Sequence, residues 1–185
     1  EPTLRRDLLP IIELAAATPG LERLAMTTNG VLLEKRSADW RAAGLDALNI
    51  SLDSLDAARF EAITGSRAHA SLLRGIDSSL GLGYASVKLN AVLLRGLNDD
   101  ELPRWLDYLR ERPLSVRFIE LMQTGDNADY FRRHHLRAEA LELQLHEAGW
   151  QLQPRLPTAG PAREYAHPDY AGRIGVIAPY SKDFC

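Results

Sequence analysis

The sequence predicts an α/β fold, part of a TIM-type parallel (βα) barrel, and two observations carry that expectation. Apolar runs at residues 21–28, 47–52, 87–94 and 115–121 are separated by stretches of helical periodicity, the pattern of parallel strands joined by right-handed crossovers. The first three runs read as acquiring polar residues near their carboxyl ends: Thr27-Thr28-Asn29-Gly30, Asn49-Ile50-Ser51-Leu52-Asp53 and Lys88-Leu89-Asn90. Parallel barrels and open α/β sheets gather their ligand sites at the carboxyl ends of strands.

Each element has its own signal. Leu4, Leu8, Leu9, Ile11, Ile12, Leu14 and Ala15 recur at helical spacing until Pro19-Gly20, which stops a helix. After the first strand, helical sequence continues to Ala43 and closes at Gly44 before the strand at 47–52. A helix capped by Ser54 or Asp56 is expected next, then another at 71–82 ending at Gly83. After the strand at 87–94, Asn98-Asp99-Asp100-Glu101 reads as a helix start, with carboxylates placed where the helix dipole favours them. Leu102 to Leu109 continues that helix, and 115–121 is the fourth strand. Beyond Met122 the style changes to a loop at 123–127, an amphipathic helix at 136–148, and short strands at 163–166 and 173–177. That tail reads as an appended antiparallel element. The expected division is residues 1–122 as barrel and 123–185 as a connecting helix and the start of an extension.

Composition narrows the partners. The 22 basic and 25 acidic residues give a net charge of −3 without a long block of one sign, so a polyanionic ligand must be held by a few local cations and nucleic acid is not expected. No window reaches the roughly 18 consecutive apolar residues that span a bilayer, so the expected setting is cytoplasmic, away from membranes. The single cysteine, Cys185, is the last residue, and the chain opens on Glu1-Pro2 rather than Met. An internal fragment of a longer protein is the expectation.

Side-chain alternation puts Thr27 with Asn29, Asn49 with Ser51 and Asp53, and Lys88 with Asn90 on common strand faces. On the fourth strand it puts Phe118, Glu120 and Met122 together, with Arg117, Ile119 and Leu121 opposite. The bland alternative is that Thr and Asn merely cap helices and Asn29-Gly30 is an ordinary turn. Lys88 lies among Val87, Leu89, Val92, Leu93 and Leu94, and a lysine buried there needs an anion, either a ligand or a carboxylate such as Glu120 or Asp53. Met122 taken alone reads as core filler. The five histidines show no zinc spacing, and there is no phosphate-binding loop, dinucleotide fingerprint or nucleophile elbow.

Taken together, several motifs resemble the GTP 3′,8-cyclase family of radical S-adenosylmethionine (SAM) enzymes, which opens molybdenum cofactor biosynthesis. They are Glu1-Pro2-Thr3-Leu4-Arg5-Arg6-Asp7-Leu8, Thr27-Thr28-Asn29-Gly30, Asn49 to Asp56, Lys88-Leu89-Asn90 and Gly96 to Asp100. Arg117 to Met122, Gly125-Asp126-Asn127, His167-Pro168-Asp169-Tyr170 and Ser181 to Cys185 extend the likeness over essentially the whole chain. The resemblance implies a partial barrel of the radical SAM class and the start of a C-terminal cluster-binding extension. It implies two 4Fe-4S clusters. One cleaves SAM reductively to a 5′-deoxyadenosyl radical that takes the ribose 3′ hydrogen of GTP, giving 3′,8-cyclo-7,8-dihydro-GTP, and the other engages the purine.

Carried onto this sequence, Ser51 and Met122 match SAM contacts, and Glu1 matches the residue that receives the methionine amino group. Thr27 and Lys88 match GTP contacts, and Cys185 matches a ligand of the second cluster. No catalytic residue is assigned beyond these contacts. The implied partners are GTP, a reducing electron donor and, downstream in the pathway, cyclic pyranopterin monophosphate synthase, with a homodimer as a further expectation. The family's N-terminal CxxxCxxC, the two glycines before Glu1 and the remaining cluster cysteines lie outside the chain, so the fragment alone is expected to be inactive. Two alternatives stay open: another radical SAM enzyme acting on a peptide or small molecule, and a non-catalytic nucleotide-binding barrel.

Overall fold

The computed structural model describes residues 1–155 and 160–180. A 3-10 turn, Pro2–Leu4, precedes α1 (Leu8–Ala16). There follow β1 (Ala25–Thr28), α2 (Leu33–Ala42), β2 (Ala47–Ser51), α3 (Ala57–Thr64), α4 (His69–Leu80), β3 (Ser86–Leu93), α5 (Leu102–Leu109) and β4 (Ser115–Glu120). The tail adds α6 (Ala128–His134), α7 (Glu139–Glu147), β5 (Gln151–Leu152), β6 (Arg163–Ala166) and β7 (Arg173–Ile177). Among the described residues no helix is long and apolar enough to cross a membrane.

The strands form one open sheet in the order β1-β2-β3-β4-β7-β6-β5, which the described residues do not close into a barrel. β1 to β4 pair in parallel in sequence order. β7 adds to β4 in parallel, and β6 and β5 run antiparallel beyond it. The tail is therefore antiparallel within itself, as its strand signals suggest, yet it extends the same sheet rather than standing beside it.

Alternation decides which face is core. Along β3, Val87, Leu89, Ala91 and Leu93 are buried while Ser86, Lys88, Asn90 and Val92 are half-buried. The buried side packs on the helices: Trp105 of α5 meets Phe118 of β4 edge to face at 5.9 Å, a favourable aromatic arrangement. Gly30 shows how tightly α4 is applied to that face. A Cβ there would stand 2.2 Å from Leu72 Cδ1, and the backbone has φ +74. Asn29 Oδ1 accepts from the Val31 amide at 3.1 Å, so Asn29-Gly30 is indeed a structural turn.

Several local expectations are corrected by tertiary demands. The first helix starts at Leu8, because Arg5 is extended with ψ 131 after the 3-10 turn. The helix expected at 136–148 is present as α7, while a separate helix, α6, stands before it where none was expected. Asn98 caps nothing. Its Oδ1 accepts from the Leu94 amide at 2.8 Å and its Nδ2 donates to the Asp53 and Val92 carbonyls at 2.7 and 2.8 Å, tying the ends of β2 and β3. Glu101, 2% exposed, turns back to accept from the Ser54 hydroxyl at 2.7 Å and the Leu55 amide at 3.2 Å. Of the two residues proposed to cap α3, Asp56 does so, accepting from Ala58 and Arg59. Buried polar side chains serve whichever backbone groups lack partners, and these lay across the chain.

Candidate functional site

Strand register arranges the face opposite the helices in rows. Thr27, Asn49, Lys88 and Ser115 are neighbours across β1 to β4. The next row runs Ser51, Asn90, Arg117, Gly175 and Glu164 from β2 to β6. Nearly every position in both rows is polar. Asn49 Nδ2 reaches Thr27 Oγ1 at 3.5 Å. Gly175 leaves room for its neighbour, since a Cβ there would come within 3.1 Å of Arg117 Cγ.

These groups lack the partners that buried polar atoms normally have. Asn90 Oδ1, Ser115 Oγ and Arg117 Nε are buried without a hydrogen bond among the described residues, whereas most buried polar groups are paired. Among the described residues neither Lys88 nor Arg117 has a carboxylate within ion-pair distance. Burial holds the Lys88 ammonium below its ordinary pKa and nearby Arg117 adds to that, with Glu164 opposing. Burial likewise lowers Arg117, with Glu164 opposing and Arg23 adding. Arg23 is tethered to this edge by a 2.6 Å bond from Nη2 to Ser86 Oγ. Two half-buried cations without an ion pair among the described residues, joined by a third, form a surface of net positive charge that an anion would complement.

The carboxyl ends of β1 and β2 carry the opposite charge. Glu1 Oε1 accepts from the Thr28 and Thr3 hydroxyls, each at 2.6 Å, and Oε2 accepts from the Asn29 amide at 2.7 Å. Burial works to raise this carboxyl, but those hydrogen bonds outweigh it and hold the group below its ordinary value. Asp53 has one oxygen on the Val92 amide at 2.9 Å, and burial pushes its carboxyl up. Acid therefore sits at the ends of β1 and β2, and base lies over β3 and β4.

The residues singled out from sequence fall into this frame unevenly. Thr27 and Lys88 share a row, Ser51 ends β2 in the next row, and Glu1 is fastened to the end of β1. Lys88 is the third residue of β3, so it lies nearer the amino end than its motif suggested. Glu120 is not a partner of Lys88. It points to the helix side, 1% exposed, bonded to His135 Nε2 at 2.8 Å and the Ala138 amide at 3.3 Å. Met122 lies beyond the end of β4, so it leaves the alternation that grouped it with Phe118 and Glu120, and it is 52% exposed. Cys185 lies outside the described residues. The described residues include no group of three or more His, Cys, Asp or Glu that could hold a metal ion.

Sequence reasoning passed over Arg117, Ser115, Arg23 and Glu164. Arg117 had a signal, a charged residue alternating with Val116 and Phe118 in an apolar run. Glu164 had none, because its place beside β7 depends on strand order.

Comparison with known proteins agrees with this sheet. Residues 1–109 match the family model for the radical SAM superfamily. The chain belongs to the radical SAM superfamily. Residues 114–185 match the model described as Molybdenum Cofactor Synthesis C. A GTP 3′,8-cyclase from Stenotrophomonas maltophilia (strain R551-3) is 59% identical over 100% of this chain and 57% of its own length. A GTP 3′,8-cyclase from Synechococcus elongatus is 51% identical over 100% of this chain and 57% of its own length. The chain thus spans little more than half the length of these curated relatives. Among solved structures, a domain of pyruvate-formate lyase-activating enzyme from Bacteroides vulgatus superposes with TM-score 0.61 at 18% identity, covering 80% of this chain and 86% of that one. At that identity the likeness concerns the fold alone.

Proposed function

We propose that the whole protein to which this radical SAM chain corresponds is a GTP 3′,8-cyclase, converting GTP to 3′,8-cyclo-7,8-dihydro-GTP in molybdenum cofactor biosynthesis. The observation that carries the reading is Lys88 and Arg117, half-buried and without an ion pair among the described residues, on one polar face with Thr27 and Ser51. A triphosphate offers such cations the charge they lack, and Lys88 acts as a point charge while Arg117 offers a fork of donors. Thr27 and Asn49, in the same row as Lys88, supply hydrogen bonds to sugar or base.

SAM would lie toward the acidic strand ends, where its ammonium meets Glu1 and its polar groups meet Ser51, with Met122 giving a soft apolar surface for the adenine. When bound with its cluster, SAM supplies a radical able to take hydrogen from the GTP ribose. The chain's own residues hold the two ligands apart by charge, anion over β3 and β4 and ammonium over β1 and β2. The cluster thiolates would come from Cys185 and from parts of the relatives that this chain does not span. A reducing donor would furnish the electron, and cyclic pyranopterin monophosphate synthase would take the product.

The test is anaerobic turnover. The full-length, cluster-reconstituted protein with reductant, SAM and GTP is expected to release 5′-deoxyadenosine and the cyclised nucleotide. A polypeptide of these 185 residues is expected to cleave no SAM. Turnover of another substrate in place of GTP by the full-length protein would overturn the reading.

A further inference from the structure

Met122 is a large apolar side chain left 52% exposed, and the segment that presents it is held from two directions. Asn127 works locally: its Nδ2 donates to the Met122 carbonyl at 3.0 Å and its Oδ1 accepts from the Thr124 amide at 2.7 Å. The second hold is remote. The Gln123 amide donates to the hydroxyl of Tyr180 at 2.8 Å, across 57 residues of chain.

Tyr180 is in turn seated by an aromatic cluster. Its ring lies 6.0 Å from Phe131 and 5.7 Å, edge-on, from His135, and His135 stacks on Phe131 at 4.4 Å. His135 is anchored by Nε2 to the buried Glu120, the last residue of β4. The connection is continuous: β4 fixes Glu120, Glu120 fixes His135, His135 and Phe131 bracket Tyr180, and Tyr180 holds the backbone next to Met122. Tyr180 also lies five positions before Cys185, in the segment that leaves β7.

We infer that Tyr180 is a positioning residue that couples the seating of the C-terminal tail to SAM binding by fixing the segment that presents Met122. The inference rests on the reading of Met122 as a SAM contact. Its consequence is ordered assembly. With the Tyr180 side chain displaced and β6 and β7 in place, Gln123 loses its acceptor, Met122 is held by Asn127 alone, and the SAM side of the polar face is loosened while Lys88 and Arg117 are untouched.

The experiment uses the full-length, cluster-reconstituted protein and measures SAM and GTP affinity separately by anaerobic equilibrium dialysis. Tyr180→Phe keeps the ring in the aromatic cluster and removes the acceptor. It is expected to bind SAM about threefold to tenfold more weakly, the effect of one lost hydrogen bond, with GTP affinity and iron content unchanged. Met122→Ala serves as the control on the underlying reading and is expected to weaken SAM binding as well. Unchanged SAM affinity in Tyr180→Phe beside a weakened Met122→Ala would overturn the coupling alone. Unchanged affinity in both variants would overturn the role of Met122 and the coupling with it. Equal weakening of both ligands, or loss of iron in Tyr180→Phe, would mark a general structural role and likewise overturn it.

Discussion

Asp53 carries two duties that a single substitution can separate. Its carboxylate accepts from the Val92 amide, and burial raises its pKa from the ordinary 3.8. A carboxyl raised in the folded state favours folding most when protonated. Its contribution is therefore fully present below 3.8 and is lost as pH rises through the raised native value. Asp53→Asn keeps an oxygen for Val92 and carries no charge to desolvate. At pH 7 its thermal midpoint is expected to equal or exceed the parent's, and the difference is expected to shrink as pH falls toward 3.8. A clearly lower midpoint at pH 7 would show that the charge itself is needed for folding. Glu1 runs the other way, because its hydrogen bonds depress its pKa and its contribution is lost as pH falls through the native value.

At the scale of elements, the turn after β1 joins the sheet to α4. Gly30→Ala forces a left-handed backbone onto a residue with a Cβ and drives that Cβ toward Leu72 and Ile50. The expected cost is about 2 kcal/mol or more, read from chemical denaturation, and a loss of under about 0.5 kcal/mol would contradict this account of the close approach. The strands and α5 were legible because their signals are local: Leu102–Leu109, Arg163–Ala166 and Arg173–Ile177 follow directly from residue pattern. The start of α5 was legible only in position. Asn98 and Glu101 look like capping residues, but their side-chain hydrogen bonds go to the loop after β2 and to the end of β3, and partners as remote as that loop leave no local trace. The two-residue strand β5 escaped for the same reason, being defined by pairing with β6 rather than by its own composition.

For the whole molecule, the alternation of strand and helix announced a parallel sheet, but not that the tail would continue it. That continuation matters to the site. β7 against β4 brings Gly175 beside Arg117, and β6 brings Glu164 into the same row, so the cationic side of the polar face is bordered by the tail. Thr27, Ser51 and Lys88 could be singled out from motif resemblance, since short polar insertions in apolar strands stand out, and the register sets them on one polar face. Arg117 needed the burial pattern that separates the two faces of β4, because alternation alone does not say which face is core. What emerges is a sheet face sorted by charge, with Glu1 and Asp53 at the ends of β1 and β2 and Lys88 and Arg117 on β3 and β4, and the proposed function sets an anionic nucleotide and a cationic cofactor side by side on it.

The central proposal is that Lys88, without an ion pair among the described residues, meets the phosphates of a nucleotide. It is tested most directly by the GTP affinity of Lys88→Ala against the parent, in full-length reconstituted protein under anaerobic conditions. The loss of one charge-assisted contact is expected to weaken binding by roughly tenfold to a hundredfold, with iron content and SAM affinity unchanged. Equal GTP affinity in the two proteins would contradict the account.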